Sequence, residues 1–190
     1  MVAEILLQRT RADVVAKFFP AFLNEYPSWQ ALASAKEDDF EKSLKPLGLW
    51  QRRAKALTSL AKAVIERGGK LPASRDELES LPAIGQYIAN AVLTMCYGAR
   101  EPLLDVNMAR LLERFFGARK LADIRYDSYL QELSRLILSV GPADKLNWAI
   151  LDFAAVICRA RNPLHAACPL AKQCGFLSKQ SQECKPHVIR

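Results

Sequence analysis

The sequence predicts an all-α protein, and three observations support this. Apolar residues recur at helical spacing along most of the 190-residue chain. No stretch alternates with period 2 for long enough to make a strand. Polar start signals and glycine stops bracket the apolar stripes, and neither an internal repeat nor a low-complexity segment interrupts them.

Composition narrows the class further. Hydrophobic residues make up 51% of the chain and charged residues 25%. A chain this apolar can offset the entropy of ordering, so disorder is excluded. The longest apolar runs, such as Ala154–Cys158, fall far short of the ~20 residues a membrane helix needs. No basic segment followed by an apolar core and a cleavage site opens the chain, so secretion is not expected. The length suits one large domain or two small ones.

The helices follow in order. Met1-Val-Ala-Glu-Ile-Leu-Leu-Gln8 looks like helix interior with no capping residue ahead of it, which points to a start lying upstream. Thr10-Arg-Ala-Asp13 is similar to a capping box, with Asp for the usual Glu. It opens a stripe of Val15, Phe18, Phe19, Phe22 and Tyr26 that Pro20 is expected to kink or restart. Leu57, Leu60, Ala61 and Val64 form a second stripe, ended by Gly68-Gly69. Ser74-Arg-Asp-Glu77 is a cleaner capping box before Leu78. Ile88, Val92, Met95 and Cys96 share one apolar face, which predicts Cys96 in the core. Met108, Leu111, Leu112 and Phe115 make the next face, stopped by Gly117. Leu133, Leu136, Ile137 and Val140 make another, stopped by Gly141-Pro142. A last long helix runs near Asp144–Cys158, and within it Asp152 reads as a structural acid satisfied by backbone.

Charge and cysteines are unevenly placed. The net charge is +7. Residues 158–190 carry six Lys and Arg, among them Arg159, Arg161 and Lys172, against the single acid Glu183. A basic end favours a polyanionic partner through counterion release, or is simply a solvated tail. The same segment holds Cys158, Cys168, Cys174 and Cys184. Four thiols so close together in a chain not expected to be secreted point to metal or cluster ligation more than to disulfides.

The most informative stretch is Leu81-Pro-Ala-Ile-Gly85-Gln-Tyr87-Ile-Ala-Asn90. A turn and a glycine lead straight into an amphipathic helix. Such a hairpin points backbone N–H groups and the positive helix end outward, a seat for one DNA phosphate formed around Ala83, Gly85 and Gln86. Gly85 allows the close approach that a side chain would block. Taken alone, the pattern is also an ordinary helix–turn–helix corner. Eighteen residues after Tyr87 comes Leu103-Leu104-Asp105-Val-Asn107, where Asp105 is well placed to cap the next helix.

Together these segments resemble the helix-hairpin-helix DNA glycosylase superfamily that includes endonuclease III and the adenine-mismatch glycosylases. The resemblance extends over nearly the whole chain. It runs through Glu4-Ile-Leu-Leu-Gln-Arg-Thr10, Leu47-Gly48-Leu49 followed by Arg53-Ala54, the hairpin, Asp105-Val-Asn107 and the C-terminal cysteines. It implies two helical subdomains, residues 1–100 ending in the hairpin helix and residues 101–190 bearing the cluster loop, with the active site in the cleft between them. An N-terminal helix that completes the second subdomain is expected to be missing.

Two departures from the family pattern stand out. The first hairpin glycine is Ala83 here, so the turn must avoid a left-handed conformation or tolerate strain. Position 87, a lysine in enzymes that cut the strand through a Schiff base, is Tyr87, and no lysine occurs from 81 to 104. The resemblance therefore implies a monofunctional enzyme. Tyrosine at this position and Arg9 in place of glutamine look like the thymine-DNA glycosylases acting on G·T and G·U. An adenine glycosylase and a catalytically silent DNA-binding module are the rival readings.

By resemblance, Asp105 stabilises positive charge on the sugar, orients water or attacks C1′, and Asn107 orients that carboxylate. Glu4 stabilises the departing base, which favours a raised pKa in a partly dry pocket. Tyr87 contacts the extruded nucleotide. Arg9, next to Gln8, fills the hole left in the duplex. Lys45, Arg52, Arg53 and Lys55 flank the Leu47–Leu49 turn as candidate phosphate contacts. Each has a plain structural alternative: a helix cap for Asp105, a solvated helix residue for Glu4, a half-buried one for Tyr87, a phosphate contact for Arg9.

The family's cluster loop reads Cys-x6-Cys-x2-Cys-x5-Cys, and the chain reads Cys158-x6-His165-x2-Cys168-x5-Cys174. The resemblance implies a [4Fe-4S] cluster held by these four, with imidazole in place of one thiolate. Cys184 as the fourth ligand, a lost cluster, and zinc in its place are the alternatives. The implied partner is double-stranded DNA, bound by a monomer in the cytoplasm, on the nucleoid.

Overall fold

The computed structural model describes residues 1–178, and among these every regular element is helical. The chain divides into two compact units, Met1–Leu93 and one starting at Thr94. Cys184, named above as an alternative ligand, lies outside the described residues.

The first unit comprises α1 (Val2–Leu7), α2 (Ala12–Glu25), α3 (Trp29–Ala33), α4 (Glu37–Leu44), a 3-10 turn at Lys45–Leu47, α5 (Trp50–Glu66) and α6 (Arg75–Glu79). It ends within α7 (Gln86–Tyr97). Helix α5 is the hub, packing against α1, α3 and α4. Its buried face is the expected Leu57, Leu60, Ala61 and Val64, extended by Ala54 and Arg53. Phe22, Tyr26 and Phe40 form an aromatic knot, with the Tyr26 and Phe40 rings 4.7 Å apart. Each such buried side chain contributes on the order of 1.5–3 kcal/mol.

Two local expectations are corrected here. Helix α2 runs through Pro20 without restarting. Pro20 and Ala16 are both exposed, so water solvates the carbonyl that the missing N–H leaves unpaired. Thr10 does not cap α2, whose N-cap is Arg11 with no side-chain bond. Its hydroxyl instead donates to Leu47 O at 2.9 Å, a partner 37 residues away. Ser74 does cap α6, its hydroxyl accepting from Glu77 N, and the Glu77 carboxylate accepts from that same hydroxyl.

The second unit holds α8 (Val106–Phe116), α9 (Ser128–Leu138), α10 (Ala143–Val156) and two 3-10 turns, His165–Ala167 and Ala171–Gln173. Leu104, Met108, Ala109, Leu112 and Leu130 form its core, and α10 packs against both α8 and α9. The buried face of α9 matches the predicted stripe only in part, with Leu133 and Ile137 half-buried against the core. Leu130, Gln131, Ser134 and Leu138 are buried, while Leu136 and Val140 are exposed. Ser134 can be buried because its hydroxyl donates to Leu130 O at 2.6 Å. Asp127, fully buried, caps α9 and accepts from Leu130 N, Lys120 N and Leu121 N.

Two further residues depart from expectation. Cys96 is exposed: residues 88–94 of α7 are buried on every side, and burial ends there, so Met95 and Cys96 lie in the exposed last turn. Asp152 is an exposed residue of α10 rather than an acid buried against backbone.

Candidate active site and DNA interface

Asp105 is half-buried at the N-cap of α8 in extended backbone. Its Oδ1 accepts from Asn107 N and Met108 N, both at 2.8 Å. Its Oδ2 accepts from Asn107 Nδ2 at 2.6 Å. One carboxylate thus caps a helix with one oxygen and is steered by its neighbour through the other. Oδ1 accepts twice, so it is Oδ2 that keeps a second lone pair for a ligand.

Residues that sequence reasoning overlooked reinforce this arrangement. Arg110, one turn along α8, donates to Asn107 Oδ1 at 3.1 Å, to Cys158 O at 3.0 Å and to Ala154 O at 2.8 Å. Asn147 of α10, fully buried, accepts from Leu103 N and donates to Glu101 O. The chain on both sides of Asp105 is therefore bound to α10 or its C-terminal end. Nothing in the local pattern signals these contacts, since 44 to 48 residues separate the long-range partners.

In the first unit, the hairpin joins α6 to α7 through Leu81–Gly85. Ala83 adopts the left-handed conformation with φ +62°, the strained alternative to the family's glycine, at a cost of roughly 1–2 kcal/mol. Gly85 has no positive φ, and a Cβ there would meet nothing within 4 Å. The fold itself therefore does not demand a glycine at position 85, whereas a close external approach to its backbone would. Gln86 and Tyr87 are half-buried in the first turn of α7. Glu4 is half-buried in α1, and desolvation raises its carboxyl above the ordinary value against the opposing pull of the chain's amino terminus.

Gln8, Arg9 and Ala83 share one cavity of about 490 Å³ with Ile5, Leu49, Arg52, Arg53 and Ala56. Arg9 and Leu49 are exposed and left-handed, with φ of +56° and +50°. Leu49, like Arg110, escaped the sequence reading; a large apolar residue following a glycine turn was its only signal. Arg53 corrects the phosphate-contact expectation. It is 3% exposed and turns its guanidinium inward onto backbone carbonyls.

In the second unit, Cys158, His165, Cys168 and Cys174 all line one apolar cavity, with Phe115, Phe153 and Phe176 among its walls. Arg114 pins this loop to α8. It donates to Arg159 O and Ala160 O, and its guanidinium lies 5.1 Å from the Phe176 ring centroid. A Cβ on Gly175 would meet Phe115 O at 3.0 Å, a tight contact that glycine avoids where the loop lies against α8. Three soft thiols and an imidazole converging on one cavity suit iron by donor chemistry. Among the described residues no three His, Cys, Asp or Glu side chains form a group that could hold a metal ion, so the four must close further on anything they bind.

A family profile described as "HhH-GPD superfamily base excision DNA repair protein" matches residues 2–137. The chain belongs to this superfamily. Among curated relatives, a thymine-DNA glycosylase of Aeropyrum pernix is 42% identical over 178 residues, covering 92% of this chain and 80% of the relative. A thymine/uracil-DNA glycosylase of Pyrobaculum aerophilum is 37% identical, covering 96% and 81%. Among solved structures, a thermostable thymine-DNA glycosylase superposes with a TM-score of 0.88 at 31% identity, covering 94% of this chain and 82% of that one. An endonuclease III–DNA covalent intermediate has a TM-score of 0.79 at 22% identity and shares the fold. Among the described residues no helix of this superfamily member is long and apolar enough to cross a membrane.

Proposed function

We propose that this protein is a monofunctional DNA glycosylase of base excision repair that flips out and removes thymine or uracil mispaired with guanine. The observation that carries the reading is the Asp105 carboxylate. It is capped and steered from both oxygens, in a chain similar to thymine- and uracil-DNA glycosylases.

Breaking an N-glycosidic bond builds positive charge on the sugar and negative charge on the departing base. Asp105 meets the first, orienting water or attacking C1′, and its fixed orientation means that little reorganisation accompanies the reaction. Glu4 assists the second, and its raised pKa supports a carboxyl that holds a proton closer to neutrality than a solvated glutamate does. Tyr87 contacts the extruded nucleotide and, having no amine, forms no Schiff base with the sugar. Arg9 reaches the orphaned guanine with Leu49 as an apolar wedge and Gln8 alongside. Ala83, Gly85 and Gln86 seat a phosphate at the N-terminus of α7.

Cys158, His165, Cys168 and Cys174 would hold a [4Fe-4S] cluster, which when bound supplies a cross-link for the loop. That loop carries Arg159, Arg161 and Lys172, all exposed, toward DNA phosphates. Iron and sulfide analysis of wild-type protein and of His165→Ala tests the ligand set.

Duplex oligonucleotides bearing G·T, G·U and A·8-oxoguanine pairs, incubated with the protein and then treated with alkali, test the activity. Breaks on the thymine and uracil strands that appear only after alkali are expected. Breaks confined to the adenine strand, or appearing before alkali, overturn the reading.

A further inference from the structure

The first unit contains a buried guanidinium with an unusual set of partners. Arg53 projects from the start of α5, and its Nη1 donates to Leu47 O at 2.6 Å and to Gly48 O. Its Nη2 donates to Gln8 O and to Thr10 Oγ1, the latter at 2.7 Å. Thr10 Oγ1 in turn donates to Leu47 O. One planar fork therefore ties two loops that are about forty residues apart in sequence, 8–10 and 47–49.

Each tied loop displays one strained residue. Arg9 lies between the two acceptors Gln8 and Thr10, and Leu49 directly follows the acceptors Leu47 and Gly48. Both are exposed and left-handed. A left-handed residue other than glycine costs roughly 1–2 kcal/mol and persists only where its surroundings over-determine it. Local sequence supplies no such constraint, whereas the held acceptors do: Gln8 O and Thr10 Oγ1 flank Arg9, and Leu47 O and Gly48 O immediately precede Leu49. The ammonium of a lysine can approach one loop but cannot present two parallel N–H edges to both.

We infer that Arg53 is a positioning residue for base-pair discrimination: by clamping the loops 8–10 and 47–49 together, it holds Arg9 and Leu49 as one rigid pair facing the duplex. The inference rests on the reading that Arg9 meets the base opposite the excised one. It goes beyond that reading by making selectivity for the opposite base depend on a side chain that touches no DNA. Preorganisation of this kind removes the ordering cost of two flexible loops at the moment of binding.

The test measures single-turnover release of uracil opposite guanine and opposite adenine, reading the ratio of the two rates. It compares wild type, Arg9→Ala, Arg53→Met, Arg53→Lys, Thr10→Val and the Arg9→Ala/Arg53→Met double variant, with melting temperatures alongside. Arg9→Ala and Arg53→Met are each expected to reduce the ratio by about tenfold, the scale of one lost specific base contact. The double variant should fall no further than either single one. Arg53→Lys is expected to recover part of the melting temperature without recovering the ratio. Thr10→Val removes one leg of the clamp without unpairing a charge; it reads the same effect, in smaller measure, should the Arg53 variants fail to fold. A ratio that Arg9→Ala lowers but Arg53→Lys and Thr10→Val leave at the wild-type value overturns the clamp alone. A ratio indifferent to Arg9→Ala overturns the reading of Arg9 and the clamp with it. Additive losses in the double variant show two independent effects and also overturn the inference.

Discussion

Asn107 holds Asp105 twice, through its backbone N–H to Oδ1 at 2.8 Å and its side-chain Nδ2 to Oδ2 at 2.6 Å. With Met108 N also on Oδ1, the orientation of the carboxylate is set by the first turn of α8. Asp105→Asn keeps a good N-cap, since the two residues cap equally well, but removes the negative charge. Base release should fall about a thousandfold while the melting temperature and the affinity for mismatched duplex stay near wild type. Single-turnover kinetics and gel-shift titration check this.

Asn107 is itself aimed by Arg110, whose Nη1 donates to Asn107 Oδ1 while Nε and Nη2 reach Cys158 O and Ala154 O. Arg110→Met leaves three acceptors without this donor, at a cost of about 1–3 kcal/mol for charged hydrogen bonds. The expected outcome is a lower melting temperature together with a lower rate. Asn107→Ala should lower the rate with a smaller change in melting temperature. Thermal denaturation alongside single-turnover assays separates the two effects.

Tyr87 offers the sugar no amine. Borohydride reduction during the reaction should trap no protein–DNA adduct with wild type. With Tyr87→Lys a covalent adduct should appear on a denaturing gel, because an amine then becomes available to the sugar C1′.

Gly85 occupies open space and an ordinary φ. Gly85→Ala should therefore leave the fold unharmed or stabilise it by about 0.4–1 kcal/mol, through lost freedom in the unfolded chain. The added methyl stands in the way of a phosphate approaching the hairpin backbone, so affinity for duplex DNA should weaken several-fold. A variant that is at least as stable and binds more weakly is the expected signature, read by calorimetry and fluorescence anisotropy.

Glu4 has a carboxyl raised above 4.5, chiefly by desolvation. The folded state then holds its proton more tightly than the unfolded state. The contribution of Glu4 to stability is full below the ordinary value and declines as pH rises through the folded value. Glu4→Gln removes this titration. The melting temperature of the variant should depend less on pH from 4.5 upward, and its rate of base release should fall. Denaturation scans across that range check the sign.

The sequence by itself determined the helical class, the ends of several helices though neither α3 nor α4, the hairpin, the spacing of Asp105 and Asn107, and the register of Cys158, His165, Cys168 and Cys174. All of these rest on interactions among near neighbours: apolar residues three or four apart, a cap bonded two and three residues on, ligands spaced along one loop. Only the tertiary structure decided that Arg53 turns inward, that Thr10 bonds Leu47 rather than capping α2, and that Arg110 and Asn147 support Asp105. It also decided which face of α9 is buried and that Cys96 is not. Those outcomes depend on partners some forty residues away or on which neighbouring element covers a face. A residue's own window contains neither, because a hydrogen bond between distant segments exists only after packing has brought them together.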